Sequence, residues 1–239
     1  MKHIKQFDAV VCGAGHAGVE AALILNRFKI STALITIDPL AIGRMSCNPA
    51  IGGLAKGQIV KEIDVLGGIM GKATDYSALQ YKILNKSKGK SVWSPRAQVD
   101  KRTYEGFINK TIKKAKHITV LQGEIVDIVT DNGVVTAAIM RDGQTIGCST
   151  LILTCGTFLN GLVHVGQKKI RAGRMGENAA EGITESLLSL GFRSGRLKTG
   201  TPPRLDASSI DWHSLNLATG DDIAIPFSSG FSFGQISPS

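Results

Sequence analysis

The chain has 239 residues, 43% of them hydrophobic, and a formal net charge of +9. A chain of this length can bury one large core or two modest ones, and because it contains no run of about 18 apolar residues we expect no membrane-spanning helix. The N-terminus leads straight into an apolar strand, so we expect no signal peptide, and the four cysteines lack C-x-x-C spacing, which favours free thiols in a reducing cytoplasm over a zinc site.

The first forty residues predict a strand, a glycine turn, a helix and a second strand. Residues 7–11 are an apolar run with β-branched side chains, as in a buried parallel strand. The chain then continues with the G-x-G-x-x-G spacing, in the order Gly13, Ala14, Gly15, His16, Ala17, Gly18. A helix over 17–28 and a strand over 32–37 follow. This placement predicts a dinucleotide site, in which Gly13 forms the tight turn, Gly15 admits a pyrophosphate and Gly18 lets the helix pack closely.

Three features near this turn have more than one interpretation. The glycines could serve only to reverse the chain direction. Asp38 stands 20 residues after Gly18, where an acidic side chain can hold a ribose hydroxyl, but it also precedes Pro39 and could cap a loop. His16 lies at a helix N-terminus, which disfavours an imidazolium, so we expect a neutral ring beside the phosphates.

The positive charge is concentrated in one segment. Residues 82–116 contain eleven Lys and Arg against only Asp100 and Glu105, and the rest of the chain is neutral. Such a local field suits a polyanion, with RNA or DNA as the natural candidates. The alternative is a solvated helix whose lysines favour the helix C-terminus.

The middle of the chain predicts a long glycine-rich connection followed by helices. Three closely spaced glycines, Gly52, Gly53 and Gly57, and an Asn-Pro pair within residues 43–57 argue against a regular element and allow the backbone to approach a flat ligand. We predict a helix over 58–66, a short helix or strand over 78–84, a loop over 87–98, and a helix over 101–116 that Asp100 caps.

The following residues predict a β-meander and a return strand. Strands over 118–121, 125–130 and 134–140 include a hairpin at Asn132-Gly133, and a short strand follows the turn at Asp142-Gly143. The apolar run 151–154 ends at Gly156, and we expect it to return to the first strand. This order predicts a mixed α/β fold: a Rossmann-like FAD-binding domain of the glutathione-reductase type, with Gly156 and Thr157 near the cofactor. A helix over 176–190 completes the prediction.

The chain contains several longer motifs, which are Gly13-Ala-Gly-His-Ala-Gly18, Met45-Ser-Cys-Asn-Pro-Ala-Ile-Gly-Gly53, Lys61-Glu-Ile-Asp-Val-Leu-Gly-Gly68, Arg96-Ala-Gln98, Gly156-Thr-Phe-Leu-Asn-Gly161 and Arg196-Leu-Lys-Thr-Gly-Thr-Pro-Pro-Arg204. Together these motifs resemble one enzyme family, MnmG (GidA), whose members modify the wobble uridine of tRNA. The resemblance implies an enzyme with FAD that takes electrons from NADH and a one-carbon unit from methylenetetrahydrofolate. It implies action on C5 of uridine 34 of tRNA, an MnmE-type GTPase partner, and a homodimer within a heterotetramer in the cytoplasm.

The resemblance also assigns roles to residues and implies a longer protein. It places the pyrophosphate of FAD at residues 13–18, the adenine end at the backbone of Ile125, and the isoalloxazine beside Asn48, Gly52 and Gly53. It implies that this chain is the N-terminal part, with residues 1–200 in a discontinuous FAD-binding domain that includes the basic segment and a meander over 125–148. Residues 201–239 would then begin an inserted region.

Cys47 is the candidate catalytic residue. A thiolate adding to C6 of uracil raises the nucleophilicity of C5 toward a methylene carrier. A small buried thiol that packs the loop is the alternative, and a cysteine elsewhere in longer family members could be the nucleophile instead. Without the rest of the protein, a nucleotide- or RNA-binding fragment or another flavin oxidoreductase stays an open alternative.

Overall fold

The computed structural model describes residues 5–45, 48–174, 176–200 and 205–230, which form four small β-sheets and five α-helices. The strands are β1 (Lys5–Gln6), β2 (Ala9–Cys12), β3 (Thr32–Thr36), β4 (Ala50–Gly52), β5 (Ala78–Leu84), β6 (Ser94–Val99), β7 (Ile118–Gln122), β8 (Ile125–Asp131), β9 (Val134–Met140), β10 (Thr145–Gly147), β11 (Thr150–Leu153), β12 (Leu162–Val165) and β13 (Lys168–Arg171). The helices are α1 (His16–Arg27), α2 (Lys56–Val65), α3 (Met70–Ser77), α4 (Lys101–Lys114) and α5 (Ile183–Ser189). None of the described helices is long and apolar enough to cross a membrane.

The central sheet is parallel and has the order β11-β2-β3-β7. β2 lies between β11 and β3, with Cys12 opposite Leu153 on one side and Ile35 on the other. All four residues of β2 are buried, which explains its continuous apolar run. The predicted return strand is therefore confirmed, and the carboxyl ends of β2, β3 and β11 meet at one edge.

A second sheet, of order β1-β10-β9-β8, is the predicted meander. Asn132 and Gly133 both have positive φ, 49° and 81°, as the predicted two-residue hairpin turn requires. Together with the parallel sheet and α1, this sheet confirms the predicted α/β fold class.

The third sheet, β4-β6-β5, corrects two expectations. Part of the glycine-rich connection forms β4, and the predicted loop over 87–98 contains β6, the central strand of this sheet. Pro95 lies in β6 and argues against a central strand because it donates no hydrogen bond. The carbonyl oxygen of Pro95, however, accepts a hydrogen bond from Gly53 N at 2.9 Å. This bond joins β6 to the glycine-rich connection of residues 43–57, which we call the glycine loop.

Two helices also differ from prediction. The sequence pattern gives no sign of α3, which begins where Glu20 of α1 accepts hydrogen bonds from the backbone N–H groups of Ile69 and Met70. The expected helix over 176–190 is wrong in its first half, because the structure contains only α5. Gly182 has φ +110°, and its N–H donates to Glu185 at the start of α5.

Residues 219–229 pack against α2, α3 and β5. Asp75 accepts hydrogen bonds from Phe227 N at 2.8 Å and Ser228 N at 2.6 Å, and Asp64 accepts from Ser229 N at 3.2 Å. The Phe227 ring is 2% exposed and belongs to the core that contains Ile51 and α2. We call residues 219–229 the strap.

Candidate functional site

The glycine turn lies at the carboxyl edge of the parallel sheet. Gly13 N donates to Ile35 O at 2.8 Å, and the Thr154 hydroxyl contacts the carbonyl oxygens of Cys12 and Gly13 at 2.9 and 3.0 Å. Within the described residues, no side chain caps α1 and its first turn holds no acidic residue. The first N–H groups of α1 are therefore available to an anion.

The three glycines of the G-x-G-x-x-G fingerprint, Gly13, Gly15 and Gly18, have different surroundings. Gly13 has φ +99°, and a Cβ there would lie 2.6 Å from Thr154 O. A Cβ on Gly18 would overlap the Gly13 carbonyl oxygen. A Cβ on Gly15 would meet no atom within 4 Å, and the residue is exposed. Gly13 and Gly18 are thus required by the fold, whereas Gly15 leaves open space beside the turn.

Neighbouring strands bring other predicted residues to the same edge. Gly156 follows β11, has φ +59° and is exposed, as is Thr157. Asp38 follows β3, and its carboxylate accepts from Leu40 N at 2.8 Å and forms an ion pair with Arg44 at 3.4 Å. Asp38 therefore caps the turn that Pro39 begins, which was one of its two interpretations.

Ile125 lies where the meander begins, close to the end of β3. Its side chain is 2% exposed. Gly123 N donates to Thr36 O at 2.9 Å, which joins the preceding loop to β3. An open cavity of about 350 Å³ is found here, lined by Ile37, Gln122, Gly123, Glu124, Met140, Arg141 and Asp142. No sequence signal points to this cavity, because its lining comes from three separate segments.

His16 is the first residue of α1, and its largely buried ring faces Tyr104 of α4. Its Nδ1 lies 3.4 Å from the Tyr104 hydroxyl, with the rings edge to face. Burial, with a smaller contribution from the positive charge of Lys56, lowers the pKa of His16 to about 4. The ring is therefore neutral at pH 7, as its position in the turn predicted.

The glycine loop belongs to the same core as the turn. Ile51 is fully buried in the cluster that contains Ala14 and Val19. Gly52 and Gly53 have φ +97° and +100°, and a Cβ on Gly53 would meet nothing within 4 Å. Asn48 is exposed, and Cys47 lies outside the described residues. Gly53 thus leaves open space beside the backbone, whereas a Cβ on Gly52 would overlap the Pro95 carbonyl oxygen.

The basic segment extends over β5, β6 and α4. Lys88 and Lys90 are exposed in the loop before β6, the strand that pairs with the glycine loop. Lys113 and Lys114 are exposed at the end of α4, where His117 N donates to Asn26 Oδ1 near the end of α1. That position is about 18 Å, the length of α1, from the glycine turn.

Comparisons with known proteins agree with this architecture. The family model described as glucose inhibited division protein A matches residues 8–232. A relative from Thermodesulfovibrio yellowstonii, named tRNA uridine 5-carboxymethylaminomethyl modification enzyme MnmG, is 49% identical over 94% of this chain and 36% of its own length. The relative of the same name from Chlorobaculum tepidum is 48% identical over 93% of this chain and 36% of its own.

Solved structures show the same relationship. Aquifex aeolicus GidA superposes with a TM-score of 0.87 and 46% identity, over 94% of this chain and 37% of the other. The GidA-related protein from Thermus thermophilus, 18% identical with a TM-score of 0.57 over 78% of this chain and 69% of its own, shares the fold. The chain spans little more than a third of the length of the MnmG relatives it matches. On these matches, the chain belongs to the glucose-inhibited division protein A (GidA) family, whose matched members are named MnmG.

Proposed function

We propose that this chain is the N-terminal part of an FAD-dependent enzyme that modifies C5 of the wobble uridine of tRNA. In this proposal the complete enzyme uses NADH and methylenetetrahydrofolate, acts in the cytoplasm with an MnmE-type GTPase, and forms a homodimer within a heterotetramer. The product is an aminomethyl-type group such as carboxymethylaminomethyl, in keeping with the name of the relatives. Residues 1–200 belong to the FAD-binding domain and residues 201–239 begin an inserted region.

One observation supports this proposal above the others: an exposed, uncapped helix N-terminus beside open space. The turn offers the first amides of α1, Gly15 and Gly156 leave room beside it, and the first turn of α1 holds no acidic residue. A diphosphate is the group that such an arrangement favours. The residues present therefore fit FAD.

The roles of the other residues are proposed from their positions at the same edge. Residues 13–18 would hold the diphosphate, and Gly156 and Thr157 would border it. Asp38 would reach a ribose hydroxyl with the lone pairs that Leu40 and Arg44 leave free. The backbone of Ile125 would meet the adenine beside the cavity at Glu124. Asn48, Gly52 and Gly53 would line the isoalloxazine, since Asn48 is exposed and Gly53 leaves open space for a flat ring.

The proposed chemistry needs both a redox group and a nucleophile. Bound FAD supplies electron transfer from NADH. Cys47 supplies the thiolate that adds to C6 of the target uracil and thereby activates C5 for attack on the one-carbon unit. His16, whose neutral ring contacts the Tyr104 hydroxyl, would lie beside the diphosphate without adding a charge.

Titration with FAD tests the first part of the proposal. We expect the purified chain to quench added flavin fluorescence at a saturating stoichiometry. Gly15→Asp, which puts a carboxylate into the open space, should weaken binding at least about tenfold, or about 1.4 kcal/mol. Gly106→Asp on α4, where a Cβ also meets nothing within 4 Å, is the matched control and should bind normally. A folded wild-type chain that binds no FAD, either alone or joined to the remaining portion of the Thermodesulfovibrio yellowstonii relative, would contradict the proposal and favour a remnant without cofactor.

A chimaera tests the second part. The chain can be joined to the remaining portion of the Thermodesulfovibrio yellowstonii relative and expressed in cells that lack the modification. We expect the modified nucleoside to reappear in hydrolysed tRNA, and Cys47→Ser in the same chimaera to abolish it. Normal modification by a Cys47→Ser chimaera would rule out an essential thiol at this position.

A further inference from the structure

Two cysteines far apart in sequence meet at the edge of the parallel sheet. Cys12 is the last residue of β2, and Cys155 follows β11 by two residues. Their Sγ atoms lie 3.5 Å apart, although the two residues are separated by 143 positions in the chain. Thr154 N donates to Cys12 O at 2.8 Å, so the backbone holds the two thiols side by side.

The two thiols have unequal surroundings. Cys12 is 8% exposed and its neighbours are core residues, whereas Cys155 is half-buried and precedes the exposed Gly156 and Thr157. The hydrogen bond to Cys155, together with burial, raises the pKa of Cys12 well above its usual value. The same hydrogen bond lowers the pKa of Cys155. Cys155, which is less buried than Cys12 and whose pKa is lowered, is therefore the more reactive sulfur of the two.

Cys148, the third cysteine that the structure describes, differs from Cys155 in its burial and from both Cys12 and Cys155 in its lack of a partner thiol. Cys148 is 1% exposed, and burial raises the pKa of its thiol. Within the described residues it has no sulfur partner comparable to the one between Cys12 and Cys155. It is thus an internal control for a cysteine that only fills the core.

We propose that Cys12 and Cys155 form a peroxide-reactive dithiol that closes to an intramolecular disulfide across β2 and β11. The Cys155 thiolate attacks a hydroperoxide oxygen, the O–O bond breaks, and Cys155 becomes a sulfenic acid while hydroxide or alkoxide leaves. The Cys12 sulfur then attacks the Cys155 sulfur and loses its proton, and the sulfenic oxygen leaves as water. The two thiols together lose two electrons and two protons, and the hydroperoxide is reduced.

The geometry favours closure over further oxidation. Closure requires the sulfurs to approach from 3.5 Å to about 2.05 Å, and the hydrogen bond from Thr154 N to Cys12 O already holds the two backbone segments together. Because Cys12 is adjacent to the reacting sulfur, the sulfenic acid forms beside its resolving thiol. The cross-link would tie the glycine turn to the return strand, and it requires neither FAD nor tRNA. This inference is independent of the proposed function.

Mass spectrometry of the intact chain tests the proposal. After treatment with hydrogen peroxide and removal of the excess, we expect a mass loss of about 2 Da, the two hydrogens of a disulfide. Proteolysis without reduction should give one linked pair of peptides, containing Cys12 and Cys155. The Cys148→Ser variant should behave identically.

Single substitutions separate the two roles. Cys12→Ser should leave a sulfenic acid on Cys155 that a dimedone probe traps, with no loss of about 2 Da. Cys155→Ser should lower the rate of peroxide consumption at least tenfold. The proposal is overturned if the wild-type chain stays reduced while it remains folded. It is equally overturned if peptides link Cys47 or Cys148 instead, or if Cys12→Ser still loses about 2 Da.

Discussion

The fingerprint glycines give a prediction that separates fold from ligand binding. Replacing Gly18 by Ala places a methyl group against the Gly13 carbonyl group, 2.9 Å from its carbon, and 2.7 Å from Thr154 Oγ1. Both obstacles are fixed, since one is backbone and the other is a hydroxyl held by the carbonyl groups of Cys12 and Gly13. The N-terminus of α1 must therefore move away from β2.

The magnitude follows from two opposing effects. Overpacking of a well-packed site costs about 1–3 kcal/mol, and contact with backbone favours the upper end. Replacing glycine by alanine in a helix gains about 1 kcal/mol. We expect Gly18→Ala to lower the free energy of unfolding by about 2 kcal/mol, a large part of the usual 5–15 kcal/mol. In a chain of this length the melting temperature should fall by about 4–8 °C.

Urea denaturation measures this change in the free energy of unfolding. Two matched variants separate the cost of overpacking from the gain in helix propensity. Gly106→Ala on α4 meets no atom within 4 Å and should stabilise the chain by about 1 kcal/mol. Gly15→Ala has open space and a φ of −72°, so stability should change by less than about 0.5 kcal/mol while FAD affinity falls. If Gly18→Ala is as stable as Gly106→Ala, the close packing of α1 on the turn is not what the glycine serves.

Two further predictions concern charge. Replacing Lys88 and Lys90 by Gln should weaken tRNA binding and reduce the slope of log affinity against log salt by about 1.5. The same change at Lys113 and Lys114 should alter neither, because the end of α4 lies near the end of α1, about 18 Å from the glycine turn. Fluorescence anisotropy at several salt concentrations measures both slopes, and equal losses from the two pairs would refute the assignment. Between pH 6.5 and about 4, His16 is neutral in the folded chain but binds a proton in the unfolded chain. Its contribution to the free energy of unfolding, about 3 kcal/mol, is therefore present above pH 6.5 and is lost as the pH falls toward 4. Urea denaturation of His16→Gln should show a shallower loss over this range, and an unchanged pH profile would contradict the buried neutral ring.

Local sequence signals predicted the front of the fold well. The apolar run of β2, the glycine spacing and the start of α1 are encoded in consecutive residues, as is the Asn132-Gly133 hairpin. Asp100 is another local signal: its carboxylate accepts from Thr103 N at 2.7 Å and begins α4 as expected. These features need no information from elsewhere in the chain.

Non-local contacts explain the failures. α3 begins at a cap provided by Glu20, about fifty residues earlier, so its own sequence shows no start signal. β6 contains Pro95, whose strand position depends on pairing with β4 and β5. The contact between Cys12 and Cys155 requires the register of β11 on β2, which cysteine spacing does not reveal.

The strap has a consequence for any shortened version of this protein. Truncation at residue 200 would remove the Phe227 ring from beneath the glycine loop and leave a hole next to Ile51. It would also remove two amide donors from the buried carboxylate of Asp75, which would keep only the Tyr81 hydroxyl among these partners, and one amide donor from Asp64. A shortened version that isolates the proposed FAD-binding part should therefore end after Ser229, so that the strap keeps Phe227 in the core.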